Sequence, residues 1–155
     1  MIQISPLTDE DIPSAADILF YSWQLHTSQN GLYDSNSLTK PKAVSWLTKV
    51  LHAGNRFAFV AKEKSTTIGF ISLEIQDNPS YYTHPRQLFV IDVVVAKEHH
   101  KKGVATLLEQ RAEDLAKELG VHQISGNVDS WNSASQALMK KLGRTKGYEE
   151  WHKFI

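Results

Sequence analysis

The sequence predicts a mixed α/β fold with βαβ character in its second half. Three observations carry this. The run Leu88 to Val95 is apolar and rich in β-branched residues, interrupted only by Asp92, which marks a buried strand. Gly103 opens a helix whose Val104, Leu107, Leu108, Ala112, Leu115 and Leu119 share one face, and Gly120 stops it. Val121 to Val128 then reads as a strand again, which completes a β-α-β unit.

The remaining elements follow from the same rules. Ile2 to Ser5 alternates and suits a strand. Thr8 to Asp11 is an acidic helix start, with Pro13 early enough to be tolerated. Ile12, Ala16, Ile18, Leu19, Trp23 and Leu25 carry that helix to about residue 28, and Asn30-Gly31 breaks it. A second helix spans 40–53, with Ala43, Val44, Trp46, Leu47, Val50 and Leu51 apolar. Phe57 to Ala61 and Ile68 to Ile75 form a hairpin around the polar turn at Lys64. Residues 77–86 hold two prolines and read as a loop. Asn132 starts a helix that reaches Leu142, and Tyr148 to Ile155 reads as a last strand. The order is β-α-α-β-β-β-α-β-α-β.

Composition narrows the function. The chain has 155 residues, which predicts one domain over 1–155. Lys+Arg and Asp+Glu each number 17, so no excess positive charge supports nucleic-acid or membrane-surface binding. There is no cysteine, which excludes disulfides, thiolate nucleophiles and zinc-thiolate sites. No basic leader and no long apolar run is present, and a cytoplasmic location is expected. His99 and His100 are adjacent, a spacing that does not chelate, so no metal is expected.

The chemistry sits in the stretch from Val93 to Leu108. A buried strand runs into a basic loop, then into a helix N-terminus, where free N–H groups and the helix dipole favour an anion such as phosphate. Gly103 and the small Ala105 let backbone approach a ligand. The stretch has neither the Walker pattern nor the dinucleotide-binding glycine pattern. Asp92, a charge in an apolar strand, either bonds neighbouring backbone or faces a cleft as a base. Asn132 suits a helix N-cap.

His100-Lys101-Lys102-Gly103-Val104-Ala105, after Ile91 to Val95, resembles the [RQ]-x-x-G-x-[GA] signature of the GNAT superfamily of acyl-CoA-dependent N-acetyltransferases, with His100 in place of Arg or Gln. Downstream, Asn132, Leu138 and Gly143 match that family's next helix, with Ser135, Met139 and Arg144 in place of Ala, Tyr and Phe. Gly143 through Phe154, with its Glu150-Trp151 pair, resembles the ending of the polyamine and small-amine branch.

The resemblance implies a mixed sheet of about six to seven strands with splayed central strands, flanked by about four helices. It implies direct acetyl transfer from acetyl-CoA to a primary amine of a small molecule or peptide, and often a homodimer. Carried onto this chain, backbone groups of Val93 and Val95 pair with the pantetheine arm. His100, Lys101, Lys102, Gly103, Val104, Ala105 and Thr106 hold the pyrophosphate, and Asn132 and Met139 border the cosubstrate. Asp92 is the candidate base and the Val94 N–H the candidate oxyanion donor. Met139 cannot act as the general acid, which leaves Tyr81, Tyr82, Tyr148 or water. Trp23 and the loop around Tyr33 are candidates for the acceptor cleft. Two rivals stand beside this reading: a non-catalytic acyl-CoA-binding regulator on the same fold, and a nucleotide-phosphate binder.

Overall fold

The computed structural model describes residues 1–29, 31–153 and 155, so Asn30 and Phe154 lie outside the described residues. Five strands, β1 (Ile2–Pro6), β2 (Arg56–Glu63), β3 (Thr66–Asp77), β4 (Arg86–Val95) and β5 (Ile124–Gly126), form one sheet in chain order. The first four run antiparallel to their neighbours, and β5 joins β4 in parallel. Among the described residues four α-helices accompany them: α1 (Ile12–Thr27), α2 (Lys40–His52), α3 (Val104–Glu118) and α4 (Ser133–Lys141). The class and the helix number are those expected, and the sheet has fewer strands than the six to seven expected.

Two cores lie on the two faces of the sheet. On one, α1 and α2 bury Ile12, Ala15, Ala16, Leu19, Ala43 and Leu47 against Val60 and Phe70. On the other, α3 buries Val104, Leu108, Ala112 and Leu115 against Phe59, Ile71, Leu73, Leu88 and Val90.

The register of β4 on β3 slips once. Ser72 opposes Asp92 and Leu73 opposes Val90, so Ile91 is a bulge. Leu88 and Val90 face α3, and strict alternation would send Asp92 into the same apolar core. The extra residue reverses the parity. Val93 and Val95 now pack towards α3, while Asp92 and Val94 turn to the α1–α2 face.

Two expected strands differ. The stretch Val121 to Val128 is β-paired only over Ile124–Gly126. Val121 is still tied to the end of α3, its N–H donating to the Ala116 carbonyl at 2.8 Å. The tail from Tyr148 forms no strand among the described residues, and Tyr148 and Trp151 stand 78% and 87% exposed. In a strand these two rings would fall on opposite faces, so neither face gathers an apolar set.

Arg144, at the position where the family carries Phe, is explained by a buried partner. Its Nη2 lies 2.5 Å from Oε2 of Glu109, a fully buried carboxylate on α3, and Nη1 lies 3.4 Å from the Met139 sulfur. Burial raises the Glu109 pKa and outweighs the opposing pull of Arg144. Arg144→Ala should therefore destabilise the protein by about 3 kcal/mol at pH 8, and by less at pH 5, where Glu109 can take up a proton. The double change Glu109→Leu with Arg144→Phe should be neutral or stabilising. Urea denaturation of the parent and both variants at the two pH values reads this.

Candidate active site

The loop after β4 is built around backbone. Ala96 N–H donates to the Ile68 carbonyl at 2.8 Å, a short 3-10 turn spans Lys97–His99, and α3 begins at Val104. Lys101 (φ 61°) and Gly103 (φ 81°) both take left-handed conformations. The first bond of α3 runs from Leu107 N–H to the Gly103 carbonyl at 3.1 Å. Val104, Ala105 and Thr106 therefore have N–H groups without a helical acceptor. Lys101, Lys102 and Gly103 are exposed beside them.

Beside this loop the sheet opens. Parallel pairing of β4 and β5 ends at Val90 opposite Gly126, so Asp92 to Val95 have no strand on that side among the described residues. The Ala96–Ile68 bond sets the alternation of the ladder on β3. Asp92 and Val94 direct their backbone groups to β3, and Val93 and Val95 direct theirs to the open side. Gly69 agrees: a Cβ there would sit 2.8 Å from the Val94 carbonyl oxygen. This corrects one expectation. The N–H of Val94 is turned away from the opening, and the free one nearest Asp92 belongs to Val93. A second detail concerns His100. Its Nε2 lies 2.9 Å from the Val95 carbonyl, so the ring braces the loop against the strand instead of reaching outward.

Asp92 stands where the two cores and the opening meet. Its Oδ2 accepts hydrogen bonds from Ser72 Oγ at 3.0 Å and from Trp46 Nε1 at 3.3 Å. Trp46 is held in turn by the Arg56 guanidinium, 4.9 Å above its ring. Burial raises the Asp92 pKa, while the two hydrogen bonds and the charge of His26 pull it back without cancelling the rise. A carboxylate so placed is a stronger base than an exposed one.

Two residues that the sequence reading did not single out, His26 and Asp129, meet beside Tyr33, which it did. His26, at the end of α1, lies 3.1 Å from Asp129 Oδ2 in the loop between β5 and α4. Its ring meets Tyr33 and Trp131 edge-on, at 5.9 and 5.2 Å between centroids. The Tyr33 hydroxyl is pushed above its usual pKa by burial and by Asp129 and Asp92. No local pattern marks His26 or Asp129, because their pairing exists only once α1 and the loop after β5 meet. Trp23 instead joins Trp46, Leu38, Lys42, Ser45 and Lys49 around a separate groove between the first two helices.

The other expected residues are placed as follows. Asn132 caps α4, its Oδ1 accepting from Ser135 N–H at 3.1 Å. Met139 is half-buried and tied to Arg144. Tyr81 and Tyr82 lie in the loop before Arg86, at the end of β4 away from Val95, and Tyr148 is on the exposed tail. His99 approaches Glu63 at 3.9 Å, so the two adjacent histidines serve different partners. No helix among the described residues is long and apolar enough to cross a membrane.

The model of the acetyltransferase (GNAT) family matches residues 20–143. The chain belongs to the GNAT acetyltransferase family. These enzymes move an acetyl group from acetyl-CoA to an amine. No curated protein sequence matches the chain. Among solved structures it is similar to the aminoglycoside N-acetyltransferase AAC(6')-Iy in complex with CoA, at TM-score 0.81 and 15% identity over 100% of this chain and 95% of that one. The aminoglycoside 6'-N-acetyltransferase AAC(6')-IG of Acinetobacter haemolyticus aligns at TM-score 0.73 and 18% identity, over 99% of both chains. A transcriptional regulator of Bacillus halodurans C-125 aligns at TM-score 0.77 and 17% identity, over 100% of both chains. Identities this low establish a shared fold.

Gly103 tests the loop. Space around it is open, but its φ of 81° is one that a β-branched residue strongly disfavours. Gly103→Val should cost about 1–2 kcal/mol of stability and remove acetyl-CoA binding, whereas a variant that binds like the parent would place the phosphate site elsewhere. Calorimetric titration with acetyl-CoA, beside a melting curve, reads both.

Proposed function

We propose that this GNAT chain transfers the acetyl group of acetyl-CoA directly to a primary amine of a small molecule or peptide, in the cytoplasm. The observation that carries the reading is a single arrangement. An unpaired edge of β4 leads into an unpaired helix N-terminus, and Asp92, with a raised pKa, stands at the start of that edge.

The residues present fit acetyl-CoA. The N–H groups of Val104, Ala105 and Thr106, with Lys101, Lys102 and Gly103 beside them, suit a pyrophosphate. The outward groups of Val93, and the outward N–H of Val95, suit an arm that lies along the strand like an added one. Asn132 spends its oxygen on the α4 cap and keeps its Nδ2 for the ligand. Acetyl-CoA would supply the activated acetyl group as a thioester. Amines of pKa near ~10 arrive protonated, so a base must act before attack, and Asp92 takes that proton. The outward direction of the Val93 N–H supports its use as a donor to the negative charge that develops on the carbonyl oxygen. Met139 supplies no proton to the departing sulfur, but a thiolate whose acid has a pKa of about 8.5 leaves without one.

The alternative of a non-catalytic acyl-CoA-binding regulator is favoured by Met139 and by its engagement with Arg144. Turnover separates the two readings. Acetyl-CoA at 100 times its Kd should stabilise the fold by about 2.7 kcal/mol under either, and absence of any thermal shift would defeat both. Release of free coenzyme A in the presence of an amine panel, from diamines to amino-sugars and peptides, is expected only of the enzyme.

Asp92→Asn should keep acetyl-CoA binding and lower kcat by about 10²–10⁴-fold, with the deficit shrinking as pH rises and more amine is neutral. Stability adds a second readout. A raised carboxylate pKa means that the folded protein holds the proton more tightly than the unfolded chain. Its contribution is present at low pH and is lost as pH rises through the raised value. Asp92→Asn should therefore raise the melting temperature at pH 8 relative to the parent. A parent-like rate, or a deficit equal from pH 6.5 to 9.5, would remove Asp92 from the chemistry.

A further inference from the structure

We propose that His26 is a positioning residue that ties α1 to the loop between β5 and α4 and holds that loop as a wall of the acceptor end of the opening. The proposal deepens the acetyltransferase reading and rests on it.

The geometry of the ring argues for its charge. Nδ1 lies 2.8 Å from the Ser22 carbonyl oxygen, and Nε2 lies 3.1 Å from Asp129 Oδ2. A carbonyl and a carboxylate only accept, so both contacts are hydrogen bonds only when both ring nitrogens carry protons. The Ser22 hydroxyl, 3.5 Å from Nδ1, adds a weaker contact on the same side. Tyr33 and Trp131 close on the ring edge-on and leave it little freedom to rotate out of this pairing. His26 and Asp129 are 27% and 23% exposed at the side chain, so water screens the pair only in part.

The ring thus joins three segments: Ser22 on α1, Tyr33 in the segment after it, and Asp129 with Trp131 in the loop after β5. For the reaction, the tie holds Asp129 and Trp131 as a wall that an amine meets. Without the ring's two hydrogen bonds the wall is released.

Amide hydrogen exchange on the full chain without ligands tests the tie, using the parent, His26→Gln and Asp129→Asn. After correction for intrinsic rates, protection of residues 127–133 should be about tenfold lower in both variants than in the parent, the loss of one charge-assisted hydrogen bond, while α3 stays protected as a control for folding. Parent-like protection in the variants would overturn the proposal.

Turnover with the most active amine of the panel reads the second half. His26→Gln should raise the KM for the amine and not that for acetyl-CoA. An amine KM left in place, or a KM for acetyl-CoA raised equally, would overturn the proposal. These outcomes are separable from failure of the base assignment: a parent-like rate for Asp92→Asn removes the base, while the exchange result still decides whether His26 holds the loop.

Discussion

The arrangement of the site depends on one extra residue in β4. With Ile91 as a bulge, Asp92 leaves the α3 core and reaches Ser72 and Trp46 on the other face. The same slip hands the outward backbone direction to Val93 and Val95 just where β5 has ended. A regular strand would put the carboxylate among Leu88, Val90 and Leu108, where an unpaired charge costs several kcal/mol. The exit of Asp92 from the apolar core and the outward direction of Val93 and Val95 are thus consequences of a single local irregularity, beside the point where pairing with β5 ends. Gly126, whose added Cβ would meet Val90 at 3.2 Å, allows the last close contact before the sheet divides.

The helices supply what the strand cannot. α2 reaches Asp92 through the Trp46 indole, which is itself fixed by Arg56 and, through it, by Glu74 at 3.2 Å. α1 reaches the far wall through His26, and α3 offers its N-terminus to the open edge. Each helix is anchored by a buried apolar face, so the polar contacts at the site only orient groups that packing has already brought near. His100 shows the same division of labour. In sequence it stands in the loop expected to hold phosphate, yet in the fold it secures that loop to Val95.

Glu109 and Asp92, two carboxylates whose pKa burial raises, are treated differently. Glu109 has an arginine for a partner and belongs to the packing of α3 against the segment after α4. Asp92 has two neutral donors among the described residues, Ser72 and Trp46, and burial keeps its pKa raised. The pairing of Glu109 with Arg144 also accounts for the departure from the family pattern after Gly143, and it leaves Met139 under a guanidinium instead of a hydroxyl role.

Local chemistry was legible in the sequence. Period-3.6 and β-branched runs mark all four helices and the first four strands, Gly103 marks the turn into α3, and Asn132 marks a cap, because each depends on neighbours along the chain. Asp92 was legible as an anomaly, since a charge in an apolar strand demands a reason. What only the tertiary structure decided are the matters of pairing. The bulge at Ile91 leaves no trace in a uniformly apolar run, and the face of Asp92 and the free N–H of Val93 rather than Val94 follow from it. The short β5 and the strandless tail depend on partners for their edges, and alternation in sequence does not supply a partner. His26 and Asp129 are ordinary residues in their own segments. Their meeting is set by where α1 and the loop after β5 come to rest, which the packing of distant apolar faces determines.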